Sequence, residues 1–293
     1  MIDLHCHSTA SDGAVSPCAL PRLAASEGTT CLALTDHDTT DGVEEFLASA
    51  QQLPNFQAVP GVELSTLTSF GEQCHIVGLF LDWRTPAFQE LLNNLRRWRE
   101  ERNDQILANL RELGKHVTRE EAIACGGEDC VLGRPHIALA MVKRGYCRTV
   151  QEAFVKYLGR GKPAYASRRM ATATEAIRAI HAAGAVTVWA HPMTNSSMGG
   201  HKLARTLDEL CAAGLDALEA YYPEHTPTQT ANVLRAAQER SLLVSGGSDF
   251  HGGGVHLGIR IGLGNAKEPL VPEHLLAPLQ ERASEIKRMN AYG

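Results

Sequence analysis

At 293 residues with 44% hydrophobic content, the chain is long and apolar enough for one large barrel or two ordinary domains. No run approaches the roughly 18 apolar residues of a membrane helix, and the first residues lack the basic and apolar regions of a secretory signal, so a soluble cytoplasmic protein with no membrane partner is expected. Eight cysteines without a C-x-x-C pair argue against a disulfide framework or a cysteine-rich zinc knuckle, whereas thirteen histidines, against six tyrosines and seven phenylalanines, raise the expectation of a metal site.

In chain order, strand character is read at "IDLHCH", "TCLALTDHD", "FQAVPGVE", "CHIVGLFL", "AVTVWAHP", "ALEAYYPEH" and "SLLVSGGSDFH". Helix-like stretches lie between them, at Pro17 to Glu27, Val43 to Gln52, Thr172 to Ala183, Thr206 to Ala213 and Thr228 to Arg240. This alternation predicts an α/β fold with parallel strands. Between the fourth and fifth strands the pattern changes. A long charged helix, "FQELLNNLRRWREERNDQILANLRELG", ends at Gly114, and no convincing strand follows before Ser167. Residues 101–167 are therefore read as an inserted helical subdomain, and 1–100 with 168–293 as the discontinuous barrel it interrupts. The insertion carries an uneven share of charge: from Arg134 to Arg169 there are nine basic residues and one acid, Glu152, in a chain whose formal charge is −5. A segment of that balance is suited to a polyanion.

The strand ends share a chemistry. In an extended strand alternate side chains point the same way, so His5 and His7, roughly 6.6 Å apart at the backbone, can converge on one ion, with Asp12 following. Asp36 and His37 close the second strand, Glu63 the third, His191 the fifth, and Asp249 and His251 the last. His75 is the exception, because it begins its apolar run. In a barrel of parallel strands the strands' C-terminal ends form the site, which brings residues remote in sequence together. Imidazole and carboxylate donors suit zinc, manganese or iron better than calcium or magnesium. Nine candidate ligands (His5, His7, Asp12, His37, Glu63, His75, His191, Asp249 and His251) are too many for one ion, and a carboxylate such as Glu63 can bridge two. His116, His181, His201, His256 and His274 have no such partners and are read as surface or satisfied core residues.

The stretches "DLHCHSTASDG", "TDHD", "GVE", "AHP" and "GSDFH" together resemble the polymerase-and-histidinol-phosphatase (PHP) family. The resemblance covers roughly 1–100 and 168–293. It implies a distorted (β/α)7 barrel with an inserted small helical subdomain and a trinuclear site, holding three divalent cations, manganese first and zinc or iron otherwise. Carried over position by position, His5, His7, Glu63 and Asp249 would hold one metal; Glu63 would bridge to a second held by His75 and His191; and Asp12, His37 and His251 would hold a third. The insertion looks most like the subfamily acting on 3′,5′-bisphosphonucleotides and on 5′-phosphorylated RNA ends. "GRPHIA" and "GRGKPAY" resemble its substrate-holding segments, which puts Arg134, His136, Arg160 and Lys162 at the substrate. Tyr222 and His225, just past a strand end, are expected to border it.

The resulting expectation is a metal-dependent phosphoesterase that removes a terminal phosphate from a 3′,5′-bisphosphonucleotide, such as adenosine 3′,5′-bisphosphate, by attack of a metal-bridging hydroxide. Asp36, Asp38 and His251 are candidate proton donors. No obligate protein partner is indicated. Within the same family, 5′–3′ exonuclease action on short 5′-phosphorylated RNA and histidinol-phosphate-type phosphatase action are alternatives. Two readings come from other classes. Asp36, Asp38 and Thr40 fit the D-x-D-x-T signature of haloacid-dehalogenase-like phosphatases, with Asp36 as a covalent nucleophile, but that reading leaves five histidines unexplained. A non-catalytic, metal-holding RNA-binding protein is the other, although structural zinc sites are usually closed by four ligands.

Overall fold

A computed structural model describes residues 1–125, 132–194, 200–252, 258–265, 268 and 270–292. The strands are β1 (Ile2–Asp3), β2 (Cys31–Leu34), β3 (Gln57–Leu67), β4 (Gln73–Leu79), β5 (Ala171–Thr172), β6 (Val186–Trp189), β7 (Ala217–Tyr221) and β8 (Leu243–Gly246). The helices are α1 (Leu20–Ser26), α2 (Val43–Ala50), α3 (Pro86–Glu112), α4 (Arg119–Ile123), α5 (Arg134–Lys143), α6 (Val150–Ala153), α7 (Ala173–Ala182), α8 (Gly200–Ala213), α9 (Pro227–Glu239) and α10 (Leu276–Tyr292). The strands form one sheet in the order β1-β2-β3-β4-β6-β7-β8, with β5 beside β3. Past its last residues β8 returns to the first strand: the Leu4 N–H donates to the Gly246 carbonyl, the Asp249 N–H to the His5 carbonyl and the His7 N–H to the Phe250 carbonyl.

The strands read as continuous apolar runs because both of their faces are covered. In β2, Cys31 and Ala33 enter the inner core with Ile2, Val59, Val77, Val188 and Ala217. Leu32 and Leu34 enter the outer one with Leu20, Val43 and Phe46 from α1 and α2. Polar capping ends the runs. The Thr172 hydroxyl accepts the Glu175 N–H while the Glu175 carboxylate accepts the Thr172 N–H, and Thr226 and Gln229 do the same ahead of Pro227 at the start of α9.

Two expectations are corrected. The sheet is not wholly parallel, because β4 runs antiparallel to both β3 and β6. Its N-terminal end therefore lies where the parallel strands have their C-terminal ends, which is why His75 opens an apolar run while its counterparts close theirs. The short β5 and the C-terminal α10 were not foreseen, and α1 begins at Leu20, three residues after Pro17.

The chain divides into two compact units, Met1–Leu92 with Ala171–Gly293, and Asn93–Met170. The division falls inside α3, where composition alone gives no mark. The inserted unit has its own core of Ile106, Leu110, Val117, Leu132, Ile137, Met141 and Leu158. No helix among the described residues is long and apolar enough to cross a membrane.

Candidate metal centre

Glu63, on β3, is completely buried, and its carboxylate is the middle of a ring of imidazoles. Oε1 lies 2.9 Å from His75 Nδ1 and 3.0 Å from His191 Nε2. Oε2 lies 2.9 Å from His37 Nδ1, 3.3 Å from His7 Nε2 and 3.4 Å from His5 Nε2. Asp249 Oδ1 faces the same space, 3.0 Å from His7 Nε2 and 3.4 Å from His5 Nε2. On the other side of His7, Asp12 Oδ1 is 3.3 Å from His251 Nε2 and 3.9 Å from His7 Nδ1, and Asp12 Oδ2 is 3.9 Å from His37 Nε2.

Eight of the nine candidate ligands thus fall in three groups whose donor atoms lie within 4.8 Å of one another: His5, His7, Glu63 and Asp249; His7, Asp12, His37 and His251; and His37, Glu63 and His75. His191 is outside these groups and meets the cluster through Glu63 Oε1. Where the expected partition put His191 beside Glu63 and His75, His37 stands in the third group instead, and two further details differ. His7 offers one nitrogen to each of the first two groups, and His37 offers one to each of the last two.

The backbone is shaped for this convergence. A Cβ on Gly247 would stand 2.3 Å from the Cβ of His5, so only glycine lets the end of β8 pass that close to the first strand. Asp249 and His191 both adopt positive φ, 53° and 32°, a region that costs of order 1–2 kcal/mol for residues with a Cβ.

Buried polar atoms are normally hydrogen-bonded. Here His5 Nε2, both nitrogens of His7, His37 Nδ1, Glu63 Oε2 and Asp249 Oδ1 are buried without a hydrogen-bond partner. Each such group costs about 1–3 kcal/mol. Six together, carboxylate oxygens and imidazole nitrogens, with neutral His7 offering a lone pair from one of its two nitrogens at a time, fit divalent cations of the zinc, manganese or iron type. In the metal-free state the same atoms perturb one another. Burial works to raise the Glu63 carboxyl, but His37, His75 and His5 outweigh it and hold it well below its ordinary value. Burial works to lower His37, yet Glu63 and Asp12 bring it up to about 9.

Several expected roles change. Asp36 accepts hydrogen bonds from the Ser8 N–H at 2.8 Å, the Ser8 hydroxyl at 2.6 Å and the Ser11 hydroxyl. A carboxylate so engaged is an acceptor that braces the loop between His7 and Asp12, not a proton donor. Asp38, buried, accepts the Ser65 N–H at 2.9 Å. His251 Nδ1 lies 2.8 Å from the Asp249 carbonyl, which can only accept, so Nδ1 carries the proton and Nε2 presents a lone pair, as a ligand does. Tyr222 is 6% exposed and donates its hydroxyl to Asp249 Oδ2 at 3.0 Å, so it supports a ligand and offers no stacking face. His225 is likewise buried and donates from Nδ1 to the Ala220 carbonyl. His136 Nδ1 accepts the Gly133 N–H at the start of α5, a capping role. Arg160 and Lys162 are exposed. His181 pairs with Asp216 at 2.7 Å, and His256 lies outside the described residues.

The inserted unit holds a cluster that the sequence reading did not single out. Arg102 is 9% exposed, and burial, followed by the charges of Arg134, Arg168 and Arg99, drives its guanidinium below its ordinary pKa. Beside it a cavity of about 670 Å³ is lined by Trp98, Arg102, Tyr165 and Arg169. Arg99 and Arg102 stand three apart on α3, a spacing that puts them on one face, but in "RRWREER" they look like any charged helix surface.

A sheet with histidines and carboxylates gathered at one end around the shared carboxylate of Glu63, in groups that could hold metal ions, defines a metal-dependent hydrolase. The chain belongs to the PHP domain family, whose model matches residues 3–162. It is 37% identical over 249 residues to a 5′–3′ exoribonuclease of Haemophilus influenzae, covering 85% of this chain and 89% of that one. It is also 35% identical over 257 residues to a 3′,5′-nucleoside bisphosphate phosphatase of Chromobacterium violaceum, covering 86% and 88%. The solved structure of an amidohydrolase from Chromobacterium violaceum, with bound sulfate and no metal, superposes with a TM-score of 0.81 at 32% identity over 96% of both chains. The protein is a metal-dependent phosphoesterase of the PHP family.

Proposed function

We propose that the protein hydrolyses a terminal phosphate from 3′,5′-bisphosphonucleotides, with adenosine 3′,5′-bisphosphate as the leading substrate, in the cytoplasm. The observation that carries this reading is the arginine cluster. A guanidinium buried among three others is stabilised by an anion, and a substrate with a second phosphate supplies one that the reacting phosphate leaves spare. The resemblance to a nucleoside bisphosphate phosphatase supports the same class.

Three cations, manganese before zinc or iron, would be held by His5, His7, Glu63 and Asp249; by Glu63, His75 and His191; and by Asp12, His37 and His251. When bound they supply an activated water and neutralise charge on the phosphoryl oxygens. The chain's own residues do the rest. Glu63 and Asp249 set the spacing, Asp36 fixes the loop that carries Asp12, and Tyr222 orients Asp249. Arg134, with Arg99, Arg102 and Arg168, binds the second phosphate, and Arg160 and Lys162 add positive charge around it.

A second reading is favoured by the exoribonuclease relative: 5′–3′ removal of nucleotides from short 5′-phosphorylated RNA, in which the same arginines hold a backbone phosphate. One panel separates them. Phosphate release with manganese is measured on mono- and bisphosphorylated nucleotides, with 2′, 3′ and 5′ isomers apart, beside nucleotide release from a 5′-phosphorylated oligoribonucleotide. Equal rates on mono- and bisphosphates would remove the proposed specificity.

A further inference from the structure

We propose that Glu219 is a positioning residue that sets two ligands of the metal centre at once: the ring of His5 by its tautomer and the backbone of His191 by a hydrogen bond. The proposal rests on the reading of this site as a metal centre.

Glu219 lies on β7, "ALEAY", as that strand's one acid, and is 2% exposed. It belongs to none of the three groups of candidate ligands. Its two oxygens have separate tasks. Oε1 lies 2.9 Å from His5 Nδ1, and Oε2 accepts the backbone N–H of His191 at 2.7 Å. An ionised carboxylate only accepts, so the proton of His5 sits on Nδ1. The lone pair is then on Nε2, the nitrogen that stands 3.4 Å from both Glu63 Oε2 and Asp249 Oδ1. A carboxylate behind a ligating histidine fixes the ring and makes its free nitrogen a better donor.

The second oxygen does a different job. His191 has φ 32°, in the left-handed region, and its Nε2 reaches Glu63 Oε1 at 3.0 Å. Outside that backbone conformation the ring would leave Glu63. The hydrogen bond from its N–H to Glu219 holds the strained turn, so the carboxylate acts on ligands that lie on opposite oxygens of Glu63 and just past the ends of strands β1 and β6.

Glutamine is the informative replacement. It keeps the shape and one acceptor, but its NH2 must face either the His5 Nδ1–H or the His191 N–H, so one of the two bonds is lost. The experiment compares wild type with Glu219→Gln and Glu219→Asp by stripping metal, titrating manganese or zinc against a chelator of known affinity, and recording melting temperatures with and without metal. Glu219→Gln should bind metal about 10- to 100-fold more weakly, and Glu219→Asp, one methylene too short to span both partners, should not restore it. Metal should also raise the melting temperature of each variant less than that of wild type. A purely structural Glu219 would lower the metal-free melting temperature and leave metal affinity at the wild-type value, and that result overturns the proposal. Should the variants fail to fold, the zinc-loaded wild type still decides: nitrogen-15 spectra assigned by comparison with His5→Asn must show a protonated, slowly exchanging His5 Nδ1, and coordination through Nδ1 refutes the assignment. If wild type itself binds no metal, the metal-centre reading falls, which is distinguishable from a variant that binds as well as wild type.

Discussion

Replacing Arg102 with methionine should make the protein more stable and a worse enzyme. Methionine has nearly the length and helix propensity of arginine without its charge, so α3 is kept. What is removed is a guanidinium 9% exposed and opposed by the charges of Arg134, Arg168 and Arg99. Replacing buried charge by apolar volume is often neutral or stabilising by about 1–4 kcal/mol. Taking the low end, because the side chain keeps some contact with solvent, the gain is about 1 kcal/mol, or about 2–4 °C in melting temperature. A charge-assisted bond to phosphate contributes about 1.5–3 kcal/mol, so kcat/KM for adenosine 3′,5′-bisphosphate should fall roughly 10- to 150-fold. The assay is thermal unfolding in a buffer free of phosphate, repeated with rising sulfate, beside steady-state phosphate release. Sulfate should stabilise wild type and not the variant. If Arg102→Met melts below wild type and still responds to sulfate, Arg102 is a packing residue and the cluster is not an anion site.

Glu63→Gln should abolish turnover and lower bound metal, because an amide cannot join five imidazoles to cations as a carboxylate does; Asp249→Asn should act the same way, and wild-type activity at equal metal content in either variant would refute the cluster. Arg134→Ala should lower kcat/KM for a bisphosphonucleotide roughly 10- to 150-fold and spare a monophosphate, with Arg134→Lys recovering only part, as a point charge lacks the planar fork; an equal loss on both substrates would assign Arg134 to the reacting phosphate or the fold. Stability of the metal-free protein should fall on the alkaline side. His37 is raised to about 9, so its contribution is complete below the ordinary histidine value and is lost as pH rises through about 9, and chelated protein should melt lower at pH 9.5 than at pH 7.5, a step that metal-loaded protein should lack because a ligating His37 is already neutral.

The convergence of the candidate ligands could be read from the sequence because chemistry and position coincide: His5, His37, His191 and Asp249 each fall where an apolar run stops, whereas Glu63, expected to close its strand, lies inside β3, which runs on to Leu67. His75 escaped the rule only because strand direction cannot be read from an apolar run, since "CHIVGLFL" has the same pattern in either orientation. The burial of Tyr222 and His225 could not be read for a related reason: a polar ring past a strand end looks equally exposed or buried until the fold closes over it. Glu219 carried a signal, a single acid inside an apolar strand, which implies a buried partner without naming it. Arg99 and Arg102 carried none, because the side of α3 that is covered depends on Leu132, Ile137 and Leu158, which are remote in sequence.

The reversed strand also bears on the order in which the centre assembles. Glu63 and His75 lie on adjacent strands of one hairpin, whose register pairs Ser65 with His75 and Glu63 with Val77, so the two ligands are diagonal neighbours on one face. Hairpins form in about 1–10 μs, far faster than pairings between distant segments. His5 and Asp249, by contrast, must meet from opposite ends of the chain, through the bond between the Asp249 N–H and the His5 carbonyl. A cation present during folding therefore meets a carboxylate and an imidazole early, and the remaining histidines and Asp249 close on it last, so metal should speed the late steps of refolding.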